Sequence, residues 1–163
     1  MKLIKVINEE QLRILSNLSN IIWHEFFPSI LSNDQIEYMV DKFQSYKAMK
    51  KQIEDGYEYY LFYYDNNYIS YTCIKRKDNR LFISKIYLLK EYRGKGLIKK
   101  AFSFYDEVVK SFKLDSMYLT VNKYNNNAIK IYQKFGFKII DDVVTDIGSG
   151  YVMDDYVMEK EGE

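Results

Sequence analysis

The chain is poor in the residues that build disulfides and metal centres, with one cysteine, Cys73, and one histidine, His24. A single cysteine excludes a disulfide within the chain, and no His and Cys residues share the spacing of metal ligands. Cys73 lies in the alternating run of residues 68–74, a pattern that favours packing in a core over attack on a substrate. The lack of disulfides fits a reducing compartment, so we expect a cytoplasmic protein. The lack of ligand spacing leads us to expect no bound metal.

Long hydrophobic runs and an excess of one charge are also missing. The longest apolar stretches fall far short of the ~20 residues that span a bilayer, and no basic, apolar and small-residue signal peptide opens the chain. With 24 Lys and Arg against 23 Asp and Glu, the net charge is +1. We therefore expect neither a membrane nor a nucleic acid as partner. A length of 163 residues predicts one domain, residues 1–163, with a core of its own.

Aromatic residues are abundant, with 17 tyrosines and 10 phenylalanines, and they favour strands. Alternation, helical spacing and turn residues predict strands at 2–7, 57–64, 68–75, 81–89, 116–121, 138–144 and 151–158. They predict helices at 9–26, 36–43, 46–53, 97–112 and 127–135, with a capping box at Ser32 and Gln35. The inward residues of the last helix are predicted to be Ala128, Ile131, Tyr132 and Phe135. The strand, helix, strand order across 81–121 predicts a right-handed crossover between parallel strands in a mixed α+β fold.

The most informative segment is the turn at residues 92–100, YRGKGLIKK, between a predicted strand and an amphipathic helix. Gly94 and Gly96 lack Cβ atoms, so a ligand can approach the backbone closely. The N–H groups at a helix N-terminus bind phosphate without any particular side chain. Positive charge surrounds the turn, on Arg93, Lys95, Lys99 and Lys100. The pattern predicts a site for an anion, with pyrophosphate the best match.

Two other phosphate motifs do not match this turn. The dinucleotide fingerprint requires a third glycine at the position of Lys99, and the P-loop requires a Gly-Lys-Ser/Thr ending. The remaining pattern, Arg-x-x-Gly-x-Gly/Ala, resembles the GCN5-related N-acetyltransferase (GNAT) superfamily, whose members bind acetyl-CoA through this turn. The chain departs from it at Ile98, where the family has a small residue, and this side chain would narrow the approach to the backbone.

A second motif strengthens the resemblance. Residues 125–137, NNNAIKIYQKFGF, match the superfamily pattern Asn-x-x-Ala-x-x-x-Tyr-x-x-x-Gly-Phe. The two motifs occur in the superfamily's order and at its separation, with a helix and a strand between them. The resemblance is specific over residues 82–137 and weaker outside this span.

The resemblance implies an α+β fold with a mixed, mostly antiparallel central sheet flanked by helices and a splayed, V-shaped cleft for acetyl-CoA. The pantetheine arm would enter between the strand of residues 86–88 and the strand of residues 118–121. The N–H of Leu88 would point at the thioester carbonyl, and the pyrophosphate would lie on the backbone of residues 94–99. The implied cofactor-binding residues are Ile86, Tyr87, Leu88, Arg93, Gly94, Lys95, Gly96, Leu97, Ile98, Lys99, Asn125 and Tyr132.

The implied reaction is direct transfer of an acetyl group from acetyl-CoA to a primary amine of a small molecule, polyamine, amino acid or peptide. Tyr132 matches the tyrosine that protonates the leaving thiolate, although it could instead only pack on Ala128, one turn away. Asn125 matches the residue that hydrogen-bonds the cofactor arm, and an N-cap of the following helix is its alternative role.

The general base is not fixed by the motifs. Some relatives have a glutamate at the position of Thr120. Glu25, beside three aromatic residues at the end of the first helix, is our candidate for the base or for an anchor of a cationic amine, and an exposed helix-end carboxylate is the alternative. Other candidates are His24, an ordered water and the late acids, which are Asp141, Asp142, Asp146, Asp154 and Asp155. The predicted loop at residues 145–151 could place an acid at the acceptor site, and an ordinary glycine hairpin is its alternative role.

A second functional class stays open at this point. A non-catalytic module that binds or senses acyl-CoA would share the fold and the glycine turn, and Ile98 together with the unassigned base favours it. Tyr132 and Asn125 favour the enzyme. Dimers are common in the superfamily, so the resemblance leaves a monomer and a homodimer open.

Overall fold

The computed structural model describes residues 1–162, with the side chains of Leu88 and Lys90 excepted. This part of the chain forms seven β-strands and five α-helices. They are β1 Lys2–Lys5, α1 Glu9–Phe26, α2 Asn33–Phe43, α3 Tyr46–Glu54, β2 Glu58–Tyr64, β3 Asn67–Lys77, β4 Arg80–Leu88, α4 Ile98–Ser111, β5 Ser116–Asn122, α5 Asn126–Lys134, β6 Lys138–Gly148 and β7 Tyr151–Glu161. A single-turn 3₁₀ helix, Lys90–Tyr92, precedes the glycine turn.

The strands form a mixed sheet in the order β1-β2-β3-β4-β5-β7-β6. The β4–β5 pair is parallel, and the β1–β2, β2–β3, β5–β7 and β6–β7 pairs are antiparallel. The predicted α+β class and the parallel crossover are therefore confirmed. The chain divides into two compact units, the first made of Met1–Lys75 and Lys85–Lys100 and the second of Arg76–Ser84 and Ala101–Glu163.

In the first unit, α1 has the predicted bounds, and its stripe of Leu12, Leu15, Leu18 and Ile22 is buried. Its core also contains buried side chains of β2 and β3, namely Tyr59, Leu61, Tyr71 and Cys73. The free thiol of Cys73 is fully buried, as the alternating pattern predicted.

The start of α1 explains why β1 is shorter than predicted. The N–H of Ile7 donates to the Gln11 side chain at 2.7 Å and so leaves the strand ladder. Asn8 and Gln11 form a full capping box, with the Gln11 N–H donating to Asn8 Oδ1 at 2.9 Å. β1 consequently ends at Lys5 rather than at residue 7.

The predicted hairpin of β2 and β3 is confirmed. Asp65 and Asn66 both have positive φ, 52° and 61°, and Tyr64 is paired with Asn67. A two-residue turn with two left-handed residues suits the twist of paired strands, and Asp and Asn tolerate that conformation better than other non-glycine residues.

In the second unit, an aromatic cluster joins α4, α5 and the start of β6. The Phe102 ring stacks on Phe135 at 4.2 Å between centroids and contacts Tyr132 and Phe137 edge-on. These contacts orient α5 so that Ile129 is buried and Ile131, which the sequence placed inward, is 40% exposed.

The connection between β6 and β7 is shorter than predicted. β6 continues to Gly148, and the turn consists of Ser149 and Gly150, both with positive φ. Asp146 is paired with Val152 within the ladder, and its Oδ1 accepts the N–H of Gly148 at 2.8 Å. The seven-residue loop is therefore wrong, and its alternative, an ordinary glycine hairpin, is confirmed.

Candidate functional site

A backbone hydrogen bond fixes the position of the chain at the end of β4. The N–H of Leu89 donates to the Ile69 carbonyl of β3 at 2.9 Å. This hydrogen bond holds the chain directly after β4 against β3.

Tyr87 fixes this strand end through its ring. Its centroid lies 5.5 Å from Trp23, 5.6 Å from Phe26 and Phe27, and 6.0 Å from Tyr71. The Trp23 indole N–H donates to the Tyr71 hydroxyl at 3.0 Å, and that hydroxyl donates to Gln44 Oε1 at 3.0 Å, so these buried polar groups are satisfied. The cluster joins the end of α1 to β3 and β4, and the Tyr87 ring itself packs within it.

Lys85, one residue before Ile86, is a buried cation that the sequence analysis did not single out. Its ammonium donates to the Phe43 carbonyl at 3.2 Å, to Gln52 Oε1 at 3.0 Å and to the Tyr59 hydroxyl. Burial lowers the pKa of Lys85 to about 8. These bonds tie the α2–α3 connection to β4, and the signal in the sequence was a lysine inside the apolar run of residues 81–89.

The glycine turn leaves an open space above its backbone. Gly94 and Gly96 have φ of +77° and +72°, which disfavours any residue with a Cβ, and a Cβ at either would meet no atom within 4 Å. α4 begins directly after the turn at Ile98, and the N–H groups of Lys99 and Lys100 donate to the Gly96 and Leu97 carbonyls at 3.4 and 3.2 Å. The turn thus offers a positive helix end and free room over its backbone, which fits a pyrophosphate.

Arg93 and Glu25 interact with each other near the end of α1. The Arg93 guanidinium lies over the Phe26 ring, 4.8 Å from the centroid. Burial lowers the pKa of Arg93, and the charge of Glu25 opposes that shift. Glu25 itself is exposed. The arrangement makes the carboxylate a charge partner of the glycine turn's arginine.

His24 is engaged in an ion pair between α1 and α2. Its Nδ1 contacts the Asn20 carbonyl at 2.7 Å and its Nε2 contacts the Glu37 carboxylate. The hydrogen bond to Glu37 is the main cause of a raised pKa at His24. Both nitrogens already have partners, so the histidine is explained by helix packing.

Asn125 directly precedes α5, and Tyr132 lies about two turns further along the chain on this helix. Asn125 caps the helix, with its Oδ1 accepting the Ala128 N–H at 3.2 Å, which is the alternative role foreseen from the sequence. The Tyr132 ring is half-buried between Phe102 and Phe137. Burial raises the pKa of Tyr132 well above its ordinary value, so its hydroxyl stays protonated at neutral pH and can donate.

Acidic residues gather where β5 ends. Lys123 Nζ pairs with Asp142 at 2.6 Å and with Asp154 at 2.9 Å. The neighbouring Asp155 is 6% exposed, and burial raises its pKa to about 6. The sequence had placed Asp155 among five late acids without distinguishing it, because burial on a sheet face is a tertiary property.

The described residues contain neither a metal-binding cluster nor a helix that could cross a membrane. Within residues 1–162, no three or more His, Cys, Asp or Glu side chains are arranged to hold a metal ion. No helix in the same part of the chain has the length and apolar character needed to cross a membrane.

Comparisons with known proteins agree on one family. The model of the family described as "Acetyltransferase (GNAT) family" matches residues 15–137. A "Probable spermine N(1)-acetyltransferase" of Bacillus subtilis subsp. natto is 25% identical over 122 residues, which cover 66% of this chain and 76% of the relative. The "Spermine/spermidine N(1)-acetyltransferase" of Bacillus subtilis strain 168 is 24% identical over 122 residues, which again cover 66% of this chain and 76% of the relative.

Solved structures share the fold. The PaiA N-acetyltransferase of Thermoplasma acidophilum, determined in complex with coenzyme A, superposes with a TM-score of 0.79 at 22% identity and covers 99% of both chains. At this identity the likeness concerns the fold, which extends over nearly the whole chain.

Proposed function

The chain belongs to the Acetyltransferase (GNAT) family, and from this premise we propose that it transfers the acetyl group of acetyl-CoA directly to a primary amine of a small molecule, polyamine, amino acid or peptide. The observation that carries the proposal is the open glycine turn at the start of α4, where two left-handed glycines leave room over backbone donors. The two Bacillus relatives, named for spermine and spermidine, support a cationic amine as the acceptor.

In the proposed mechanism, the backbone of residues 94–99 holds the pyrophosphate, and Asn125 and the backbone of residues 86–88 hold the pantetheine arm. Acetyl-CoA supplies an acetyl group activated as a thioester. The Leu88 N–H stabilises negative charge that develops on the thioester oxygen, since a preorganised donor acts without reorganisation. The Tyr132 hydroxyl donates its proton to the departing sulfur.

We expect acetyl-CoA to raise the melting temperature of the protein, because a ligand that binds only the native state stabilises it by mass action. NAD and ATP should produce no comparable rise. With a panel of primary amines and polyamines, the protein should release free CoA thiol. A rise with ATP and none with acetyl-CoA contradicts the assignment. Binding of acetyl-CoA without thiol release from any amine would instead support the non-catalytic acyl-CoA-binding module.

Glu25 is proposed as an electrostatic anchor of a cationic acceptor rather than as the base, because its carboxylate is exposed at the end of the aromatic-rich helix α1. An exposed charge interaction is worth roughly 1 kcal/mol or less, so Glu25→Gln should raise KM for the amine about three- to fivefold and change kcat less than about twofold. Steady-state kinetics across pH measure this, and Glu10→Gln, which removes an exposed charge from the other end of α1, is the control. A large loss of kcat with a flattened acidic limb would assign the base role to Glu25.

A further inference from the structure

Asp155 occupies a defined place on the central strand of the second unit. It lies in β7, directly opposite Asn122 of β5 and Val143 of β6. Directly opposite residues in antiparallel strands share one face of the sheet, and residues two apart on one strand also share it. Asp155 therefore shares its face with Thr120, which lies opposite Val157. Asn122 is the last residue of β5, so the carboxylate is at the end from which the chain enters α5.

The Asp155 side chain is a buried carboxylate with an unused acceptor. It is 94% buried, and Oδ1 has no hydrogen-bond partner within residues 1–162. A buried carboxylate oxygen without a donor is destabilising, and such groups in native proteins call for an explanation. A donor supplied by a ligand would satisfy this atom, and an ammonium group offers both the hydrogen bond and the opposite charge.

The charged neighbours of Asp155 are paired with one another. Lys123 is already paired with Asp142 and Asp154, which lie on the opposite face of the β6–β7 ladder. Asp154 disfavours ionisation of Asp155 and Lys123 favours it, both less strongly than burial does. Asp141 on β6 lies opposite Val157 and so shares the face of Asp155, but it is exposed. The cation in this cluster is thus committed elsewhere, and the field at Asp155 suits an incoming cation.

The geometry points to Asp155 as the catalytic residue that receives the ammonium group of the acceptor and takes up its proton, an inference that rests on the proposed acetyl transfer. The acceptor class is a cationic primary amine. Asp155 lies opposite Asn122, at the end of β5 from which the chain leads through Asn125 into α5.

The proposed reaction conserves protons and electron pairs. Ionised Asp155 accepts one proton from the ammonium and leaves a neutral amine with a free electron pair. The nitrogen forms a bond to the acetyl carbon while the carbon–sulfur bond breaks, and the sulfur takes the electron pair and a proton from Tyr132. The nitrogen loses its second proton to solvent, and solvent reprotonates the Tyr132 hydroxyl. Asp155 then releases its proton to solvent, and the products are the N-acetyl amine and CoA thiol.

Asp155→Asn tests the inference because it keeps the shape and removes the proton acceptor. With spermidine as probe, kcat/KM at pH 7 should fall about 100-fold or more, in the range of general base catalysis. The wild type should lose kcat/KM below a break near pH 6, and the variant should show no break. The acetyl-CoA thermal shift should stay unchanged. Asp141→Asn, an exposed acid on the same face, should keep both the rate and the break. Wild-type kinetics in Asp155→Asn overturn the inference and leave the proposed acetyl transfer standing.

A second measurement does not depend on turnover. The folded-state pKa of Asp155 lies above the unfolded value, so the folded wild type binds more protons between about pH 4 and 6, and its stability falls as pH rises through that window. Asp155→Asn escapes this loss, so its melting temperature relative to wild type should be higher at pH 8 than at pH 4. This result also shows that the variant folds. An equal difference at both pH values contradicts the buried charge.

Calorimetry separates the inference from the proposed function. Spermidine binding to the CoA-loaded wild type at pH 6 should release protons, because the ammonium favours ionised Asp155. Asp155→Asn should bind more weakly and release none. Identical binding and proton release in both proteins, or no binding to the wild type, overturns the inference. Failure of acetyl-CoA itself to bind or to yield thiol, with proton-linked amine binding intact, overturns the proposed function alone.

Discussion

Gly96→Val should remove most of the rise in melting temperature that acetyl-CoA gives the wild type. At ligand concentrations near 100 times Kd that rise corresponds to about 2.7 kcal/mol, which in a chain of this size is about 5–10 °C. The Cβ at residue 96 would enter space in which no protein atom lies within 4 Å. The valine side chain would occupy the space that the ligand needs and keep the pyrophosphate away from the backbone. We therefore expect the affinity for acetyl-CoA to fall about 100-fold.

Backbone strain must be separated from this effect, since φ of +72° disfavours valine whether or not a ligand binds. Gly150→Val is the matched control, because Gly150 has φ of +80° and its Cβ would likewise meet nothing within 4 Å. Both variants should melt below the wild type without ligand, but only Gly150→Val should keep the full shift with acetyl-CoA. If Gly96→Val binds acetyl-CoA as the wild type does, the pyrophosphate does not lie on this turn.

Much of the fold could be read from the sequence because its signals are local. The bounds of α1, the hairpin turn at Asp65 and Asn66 and the left-handed glycines at 94 and 96 follow from spacing and from residues that tolerate particular φ values. The parallel β4–β5 pair followed from element order, since a helix between two strands is the usual connection of parallel neighbours. These features depend on neighbouring residues in the chain, which the sequence supplies directly.

The errors concern positions that tertiary contacts decide. Helical spacing allows Ile131 or Ile129 to face inward, and the stacking of Phe135 on Phe102 decides in favour of Ile129. The glycines near residue 150 predicted a loop, yet pairing of β6 with β7 continues to Gly148 and Tyr151. Ladder hydrogen bonds between distant residues outweighed the local turn propensity there.

The same reasoning applies to the acids. Glu25 was a candidate because aromatic residues surround it in the sequence. Asp155 is distinguished by its burial and by the lack of a hydrogen-bond partner for its Oδ1. This burial arises when β7 pairs with both β5 and β6. The spacing of residues in the sequence does not predict it. A carboxylate retained at such a cost in stability is typical of a functional position.

Tyr132→Phe should lower kcat on an accepted amine by about ten- to a thousandfold, the range expected when a general acid is lost. The variant removes the hydroxyl and keeps the ring, so the contacts with Phe102 and Phe137 and the acetyl-CoA thermal shift should be preserved. Because the pKa of Tyr132 is raised by burial, its hydroxyl remains protonated through the working range of pH. The basic limb of the wild-type pH–rate profile should therefore not belong to Tyr132, and the profile of the variant should keep its shape at a lower level.

Tyr105→Phe is the matched control for Tyr132→Phe, because it removes a hydroxyl from a buried α4 ring that contacts the same Phe102. It should cost stability at most and leave kcat within about twofold of the wild type. A loss of kcat shared by both variants would trace the effect to the packing of α4 against α5. A loss confined to Tyr132→Phe, with KM for acetyl-CoA unchanged, places the missing interaction in the transition state, since only such an interaction lowers kcat and kcat/KM equally. Full activity of Tyr132→Phe would mean that the thiolate leaves without a proton from this tyrosine.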